Sequence, residues 1–160
     1  MGFNVVWLGL VYWGNSFIPI AIAFLCSHLY INRSTASSEL ILIFSVAIVG
    51  ICVDSILQFI GFFIFSEASH LPFWLMSLWL CFGTTLSHSL VFLSNSKFYQ
   101  GLTGAVIAPL SYIAGQKFNA VNFGMNFLET YVLLSAIWCL LMISFFYIKA
   151  LLIKTEVENV

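Results

Sequence analysis

Residues 40–65 read LILIFSVAIVGICVDSILQFIGFFIF, an apolar run interrupted by one charge, Asp54. Such a run is long enough to cross a hydrocarbon core of about 30 Å as a helix. A backbone in hydrocarbon has to satisfy its own hydrogen bonds, and the run lacks the alternation of a barrel strand, so helix is the reading. The run is centred near residues 52 and 53, which puts Asp54 about 2 Å from the midplane by the helical rise. That one stretch sets the class of the protein and its most conspicuous chemical question.

Outward from it, the rest of the chain repeats the pattern. Of the 160 residues, 62% are hydrophobic and 7% charged, against roughly 25% charged in an ordinary soluble domain. A soluble globule is therefore excluded. Polar and turn-forming clusters at 32–39 (NRSTASSE), 66–72 (SEASHLP), 94–100 (SNSKFYQ) and 115–126 separate the apolar runs. The chain reads as an all-α, polytopic transmembrane helical bundle, one domain over 1–160. Helices are expected at about 3–13, 16–31, 40–65, 73–93, 101–116 and 128–150. The first run is ambiguous. As one helix, residues 3–31 would be about 43 Å long and would need strong tilt. Gly14, Asn15, Ser16 and Pro19 instead spell a helix stop followed by a capped start. Six helices follow from that split, with Asn15 or Ser16 capping the second; five follow if the run is a single span.

Basic residues set the orientation. Arg33, Lys97, Lys149 and Lys154 fall on one side, while Lys117 and the 66–72 loop with Glu67 fall on the other. The positive-inside rule makes the first side cytoplasmic, with a cytoplasmic C-terminus. Met1 to Trp13 lack a positive n-region and a small-residue cleavage site, so they are kept as mature structure. A net charge of −1 with no Lys/Arg cluster argues against nucleic-acid binding. Cys26, Cys52, Cys81 and Cys139 are isolated in apolar runs and read as buried small hydrophobes, and neither a metal site nor a cofactor is expected.

Asp54 is the only charge deep in a span, and an ionisable group there is a functional hypothesis by default. Gln58 lies one turn on, on the same face. Thr84 and Thr85 of the fourth helix sit level with Asp54, and His88 about 7 Å nearer the cytoplasm. The fifth helix adds Ser111 and Tyr112, and Pro109 frees the carbonyl of Ala105. Asp54, Gln58, Thr84, Thr85, His88, Ser111 and Tyr112 are thus the candidates for a ligand site or proton relay. His28 reads as interfacial. Gly101, Gly104, Ala105, Ala108, Ser111 and Gly115 form a small-residue face on the fifth helix, suited to close packing by another helix of this chain, a protein partner or a second copy.

At these residues the chain resembles an uncharacterised family of small inner-membrane proteins, a domain of unknown function found mainly in proteobacteria. The matching pieces are DS at 54–55, PFWLMSLW at 72–79, TTLSHSL at 84–90 and PLSYIAG at 109–115, covering the third to fifth helices. The resemblance implies six helices and brings no established activity. Encoding of such proteins near fatty-acid-modifying enzymes points towards lipids. The leading expectation is therefore a protein that binds a membrane lipid or other hydrophobic small molecule as an accessory to membrane-lipid modification. A proton-coupled transporter or transport subunit, a lipid-modifying enzyme and a structural assembly subunit stand beside it as alternatives.

Overall fold

The computed structural model describes residues 2–33, 36–65 and 70–158, apart from the side chains of 36 and 154–158. Of the expected 66–72 loop, residues 66–69 with Glu67 lie outside what is described, as does the side chain of Lys154. Six α-helical segments follow one another: α1 (Gly2–Trp13), α2 (Ile18–Ile31), α3 (Ala36–Phe59), α4 (Phe73–Gly83), α5 (Lys97–Lys117) and α6 (Phe127–Glu158). A single 3-10 turn, Gly14–Phe17, joins α1 to α2, so the count is six by segment and five by continuous helical stretch. Three stretches, Gly2–Ile31, Ser37–Phe59 and Phe127–Ile153, are long and apolar enough to cross a membrane.

The surface is the inverse of a water-soluble protein's. Phe59 is 91% exposed, and Ile48, Phe92, Val132 and Leu140 also point outward. Asp54, Thr84, Thr85, Gln100, Thr130 and Lys149 are buried instead. An apolar exterior, with a few polar side chains drawn into an otherwise apolar core, is stable where the surrounding medium is hydrocarbon.

The first stretch does not cross as one rod. Gly2 packs against the ring of Phe24, with only 2.8 Å between a Cβ built at Gly2 and the ring edge, so the chain reverses between them. Gly14, at φ +57, takes the left-handed conformation that ends α1, and Pro19 opens α2. The caps differ from expectation: Phe17 is the N-cap of α2 and offers no side-chain bond. The Asn15 side chain reaches across the fold and accepts from the Trp74 backbone N–H at 3.0 Å, serving the first turn of α4, whose own N-cap, Pro72, makes no side-chain bond. The hairpin packs on α4 through Val6, Leu10, Ala21 and Cys81.

Two helices are shorter than the hydropathy implies. α3 ends at Phe59 rather than 65, because a turn at 60–61 leads into a strand, β1 (Phe63–Ile64), paired antiparallel with β2 (Asn122–Phe123). The fourth apolar run extends to 93, but α4 stops at Gly83 and the chain continues in tight turns and a short 3-10 segment at 91–93. There the Thr84 and Thr85 hydroxyls donate three residues back, to Cys81 O and Phe82 O, in competition with the helical ladder. Backbone freed in this way needs partners. Lys149 Nζ donates to Leu86 O at 2.8 Å, and Gln100 Nε2 to Leu93 O at 2.9 Å.

α5 and α6 form the most extensive helix pair. Gly101 abuts Cys139 and Ile143, and Gly104 abuts the Trp138 carbonyl and Met142, so this part of the small-residue face is occupied by α6. The Ala105 carbonyl, which Pro109 leaves without its helical donor, accepts from Ser135 Oγ at 2.7 Å.

Candidate functional site

Asp54 is buried on α3 and reached by donors from two other helices. Trp79 Nε1–H donates to Oδ2 at 2.7 Å, and the Tyr112 hydroxyl donates to Oδ1 at 3.1 Å. The sequence dictates much of this. Gly50, one turn before Asp54, leaves room for the Trp79 indole, which fills the space a Cβ would take. An indole N–H in mid-span must find an acceptor, and Asp54 supplies it. The indole stacks on Trp138 with ring centres 5.2 Å apart, and Tyr112 stacks on Phe63 at 5.2 Å. Phe63 is fully buried and is carried by β1, so the small strand pair sets an aromatic ring against Tyr112, one of the two Asp54 partners. Among the described residues no Lys, Arg or His comes within ion-pair distance of this carboxylate.

On the far side of Trp79 and Tyr112 lies a cavity of about 620 Å³ between α1, α4, α5 and α6. Four of the five tryptophans, Trp7, Trp74, Trp79 and Trp138, line it. Its polar groups are sparse: Asn4, Thr85, Ser89, Thr103, Ser111 and Tyr112, with no charged side chain. The wall on α5 runs from Thr103 to Gly115, about 18 Å by the helical rise. Near one end of this groove, Tyr12 and Phe118 meet edge to face at 6.0 Å, bridging α1 and the end of α5. A volume in the range of about 300–1,000 Å³, apolar walls and a few fixed polar groups are features that small-molecule sites share.

The residues expected to act together separate into two groups. Tyr112 touches Asp54 and lines the cavity; Thr85 and Ser111 line it as well. Ser111 Oγ also donates to Ile107 O at 3.2 Å. Thr84 is buried and spends its hydroxyl on the backbone, and Gln58 is half-buried on α3, outside the cavity wall. His88 belongs elsewhere: its Nε2 lies 2.7 Å from Glu39 Oε1, in the first turn of α3. His28, in the last turn of α2, places its Nε2 3.2 Å from Glu39 Oε2. Neither Glu39 nor His28 stands out as a candidate in the sequence. Both flank the short 32–38 connection, and that proximity is the one signal pointing to them. Trp79 and Trp138 escape the sequence reading too, although a mid-span indole opposite a mid-span carboxylate is a readable pair.

No curated protein and no solved structure matches this chain. A family model does, over residues 1–144, described as a protein of unknown function (DUF2878). That match includes α1 and α2, which the sequence motifs at 54–115 did not reach. With more than half of its length matched, the chain belongs to this uncharacterised family, DUF2878.

Proposed function

We propose that this protein holds a lipid or another hydrophobic small molecule in the cavity between α1, α4, α5 and α6, within a bacterial inner membrane and with its C-terminus in the cytoplasm. The single observation that carries the reading is the cavity itself: about 620 Å³, walled by four tryptophans and free of charged side chains. Its groove-like length suits an extended chain more than a compact polar metabolite. Ser111 and Tyr112, with Asn4, are polar points against which a headgroup or hydroxyl would be oriented. Asp54 stands behind this wall and fixes Trp79 and Tyr112 in place, so its part is positioning. Service to membrane-lipid modification is the context that the family resemblance suggests. The orientation rests on Arg33, Lys97 and Lys149 sharing one side against Lys117. A proton path through Asp54 and His88 has less support, since the two side chains have separate partners.

The test is native mass spectrometry of protein extracted with its surrounding membrane. Wild type is expected to carry one defined lipid or hydrophobic molecule, Ser111→Trp to lose it by filling the groove, and His88→Ala to retain it. A bulk lipid mixture on wild type, unchanged in Ser111→Trp, would sink the reading.

A further inference from the structure

His28, Glu39 and His88 come from three separate elements, α2, α3 and the turns after α4, yet their ligand-type atoms lie within 4.8 Å of one another. The Glu39 carboxylate is the centre, with one oxygen towards each imidazole, at 3.2 Å and 2.7 Å. The His28 side cannot be accounted for by hydrogen bonding. Although 3.2 Å apart, His28 Nε2 and Glu39 Oε2 are not aligned as donor and acceptor, and both atoms are buried with no hydrogen-bond partner. A buried polar atom left unsatisfied carries its desolvation penalty with nothing to offset it. Among the described residues no Lys or Arg forms an ion pair with Glu39.

Two imidazole nitrogens and a carboxylate converging in this way are the donor set of a first-row divalent ion. Two atoms each bonded at about 2.1 Å to one ion lie about 3.0–3.4 Å apart for angles between 90° and 109°; the 3.2 Å His28–Glu39 spacing falls in that range, and the 2.7 Å His88–Glu39 hydrogen bond would have to open slightly to admit the ion. Magnesium and calcium prefer all-oxygen shells and are poor fits to two imidazoles. The His88 side chain is 40% exposed, which leaves a route of entry and an open coordination position for water.

We propose that His28 Nε2, Glu39 and His88 Nε2 bind a divalent transition-metal ion of the zinc type. The ion would tie the α1–α2 hairpin, the start of α3 and the irregular segment after α4 to one point. That segment matters to the cavity, because Ser89 and Leu90, next to His88 in the chain, line it. The inference is independent of what the cavity holds, and its test reads metal, not lipid.

Protein purified without a polyhistidine tag is stripped with EDTA, titrated with Zn²⁺ or Co²⁺, desalted and analysed for metal content. Wild type is expected to retain about one equivalent per chain, with Co²⁺ giving a visible d–d band of a nitrogen- and oxygen-ligated site. His28→Ala and His88→Ala are each expected to weaken binding by at least about tenfold. Because His88 is substantially exposed, its variants should remain folded, and His88→Gln provides a further test with the polar volume kept. Thermal unfolding of wild type should rise with Zn²⁺, and that of His88→Ala should not. Retention of no more metal by wild type than by folded His88→Ala, with no Zn²⁺-dependent thermal shift, would overturn the site.

Discussion

Asp54 and Glu39 are both carboxylates of α3, each approached by two side chains from other elements, and they end up chemically opposite. Asp54 receives two donors, an indole N–H and a phenol O–H, and is enclosed by stacked aromatic rings. Glu39 faces two imidazoles, one of them half-exposed, and leaves His28 Nε2 and its own Oε2 unsatisfied. Depth in the membrane singles out Asp54 as the functional carboxylate, and a place in the first turn of α3 gives Glu39 the profile of an ordinary helix-end charge. On partner chemistry the order reverses: Asp54, met only by fixed donors, is fastened, whereas Glu39 has one oxygen bonded to His88 and the other left beside an unsatisfied His28 nitrogen, the arrangement on which the proposed metal site rests.

The comparison predicts a graded series in thermal unfolding of detergent-solubilised protein. The largest loss belongs to Asp54→Ala, which strands both the Trp79 and the Tyr112 donors in an apolar interior, at about 3 kcal/mol. Trp79→Phe keeps most of the ring stacking on Trp138 but removes the 2.7 Å bond, and should cost about 1–3 kcal/mol. Tyr112→Phe gives up the longer 3.1 Å bond and should cost about 1 kcal/mol. If Asp54→Ala proved harmless, the donors around it would not be what holds α3, α4 and α5 together. At the small end, His88→Ala in metal-free protein removes the 2.7 Å bond to Glu39 from a side chain that is 40% exposed, and should cost no more than about 1 kcal/mol. A drop as large as that of Asp54→Ala would erase the distinction between the two carboxylates.

A further contrast concerns the backbone. Ser135→Ala removes the donor to the Ala105 carbonyl freed by Pro109, and interhelical bonds of this sort in membranes are worth about 0.6–1.7 kcal/mol. Lys149→Met removes the donor to Leu86 O and should destabilise by about 1–3 kcal/mol, because the turns after Gly83 have no helical ladder behind them. The two variants, compared in the same unfolding assay, separate the cost of a carbonyl freed inside a continuous helix from that of one freed where the helix has ended.

Much of this is legible in the residues. The apolar runs announce helices of spanning length, Gly14 and Pro19 mark the reversal, and Pro109 marks a carbonyl in search of a donor. The length of the fourth helix is not legible, because hydropathy does not register Thr hydroxyls bonding three residues back, or a lysine 63 residues later in the chain supplying the lost donor. The candidate site is half-legible. Tyr112 and Asp54 do meet, but His88 pairs with a different carboxylate: depth along straight helices sets it near Asp54, and the segment that carries it is not a helix. Glu39 has the sequence signature of a helix-end charge, and only the folded hairpin shows that two histidines surround it. The cavity has no signature at all, since empty space between helices leaves no mark on the order of residues.

The most direct measurement of the central claim is where a hydrophobic probe sits. A photoreactive fatty-acid analogue, cross-linked in membranes and mapped by peptide mass spectrometry, is expected to label the inner wall at Trp7, Trp79, Ile107, Ser111 and Trp138. Excess unlabelled fatty acid and Ser111→Trp should both suppress that labelling. Labels confined to the outward-facing Phe59, Val132 and Leu140, insensitive to either treatment, would contradict a lipid-holding cavity.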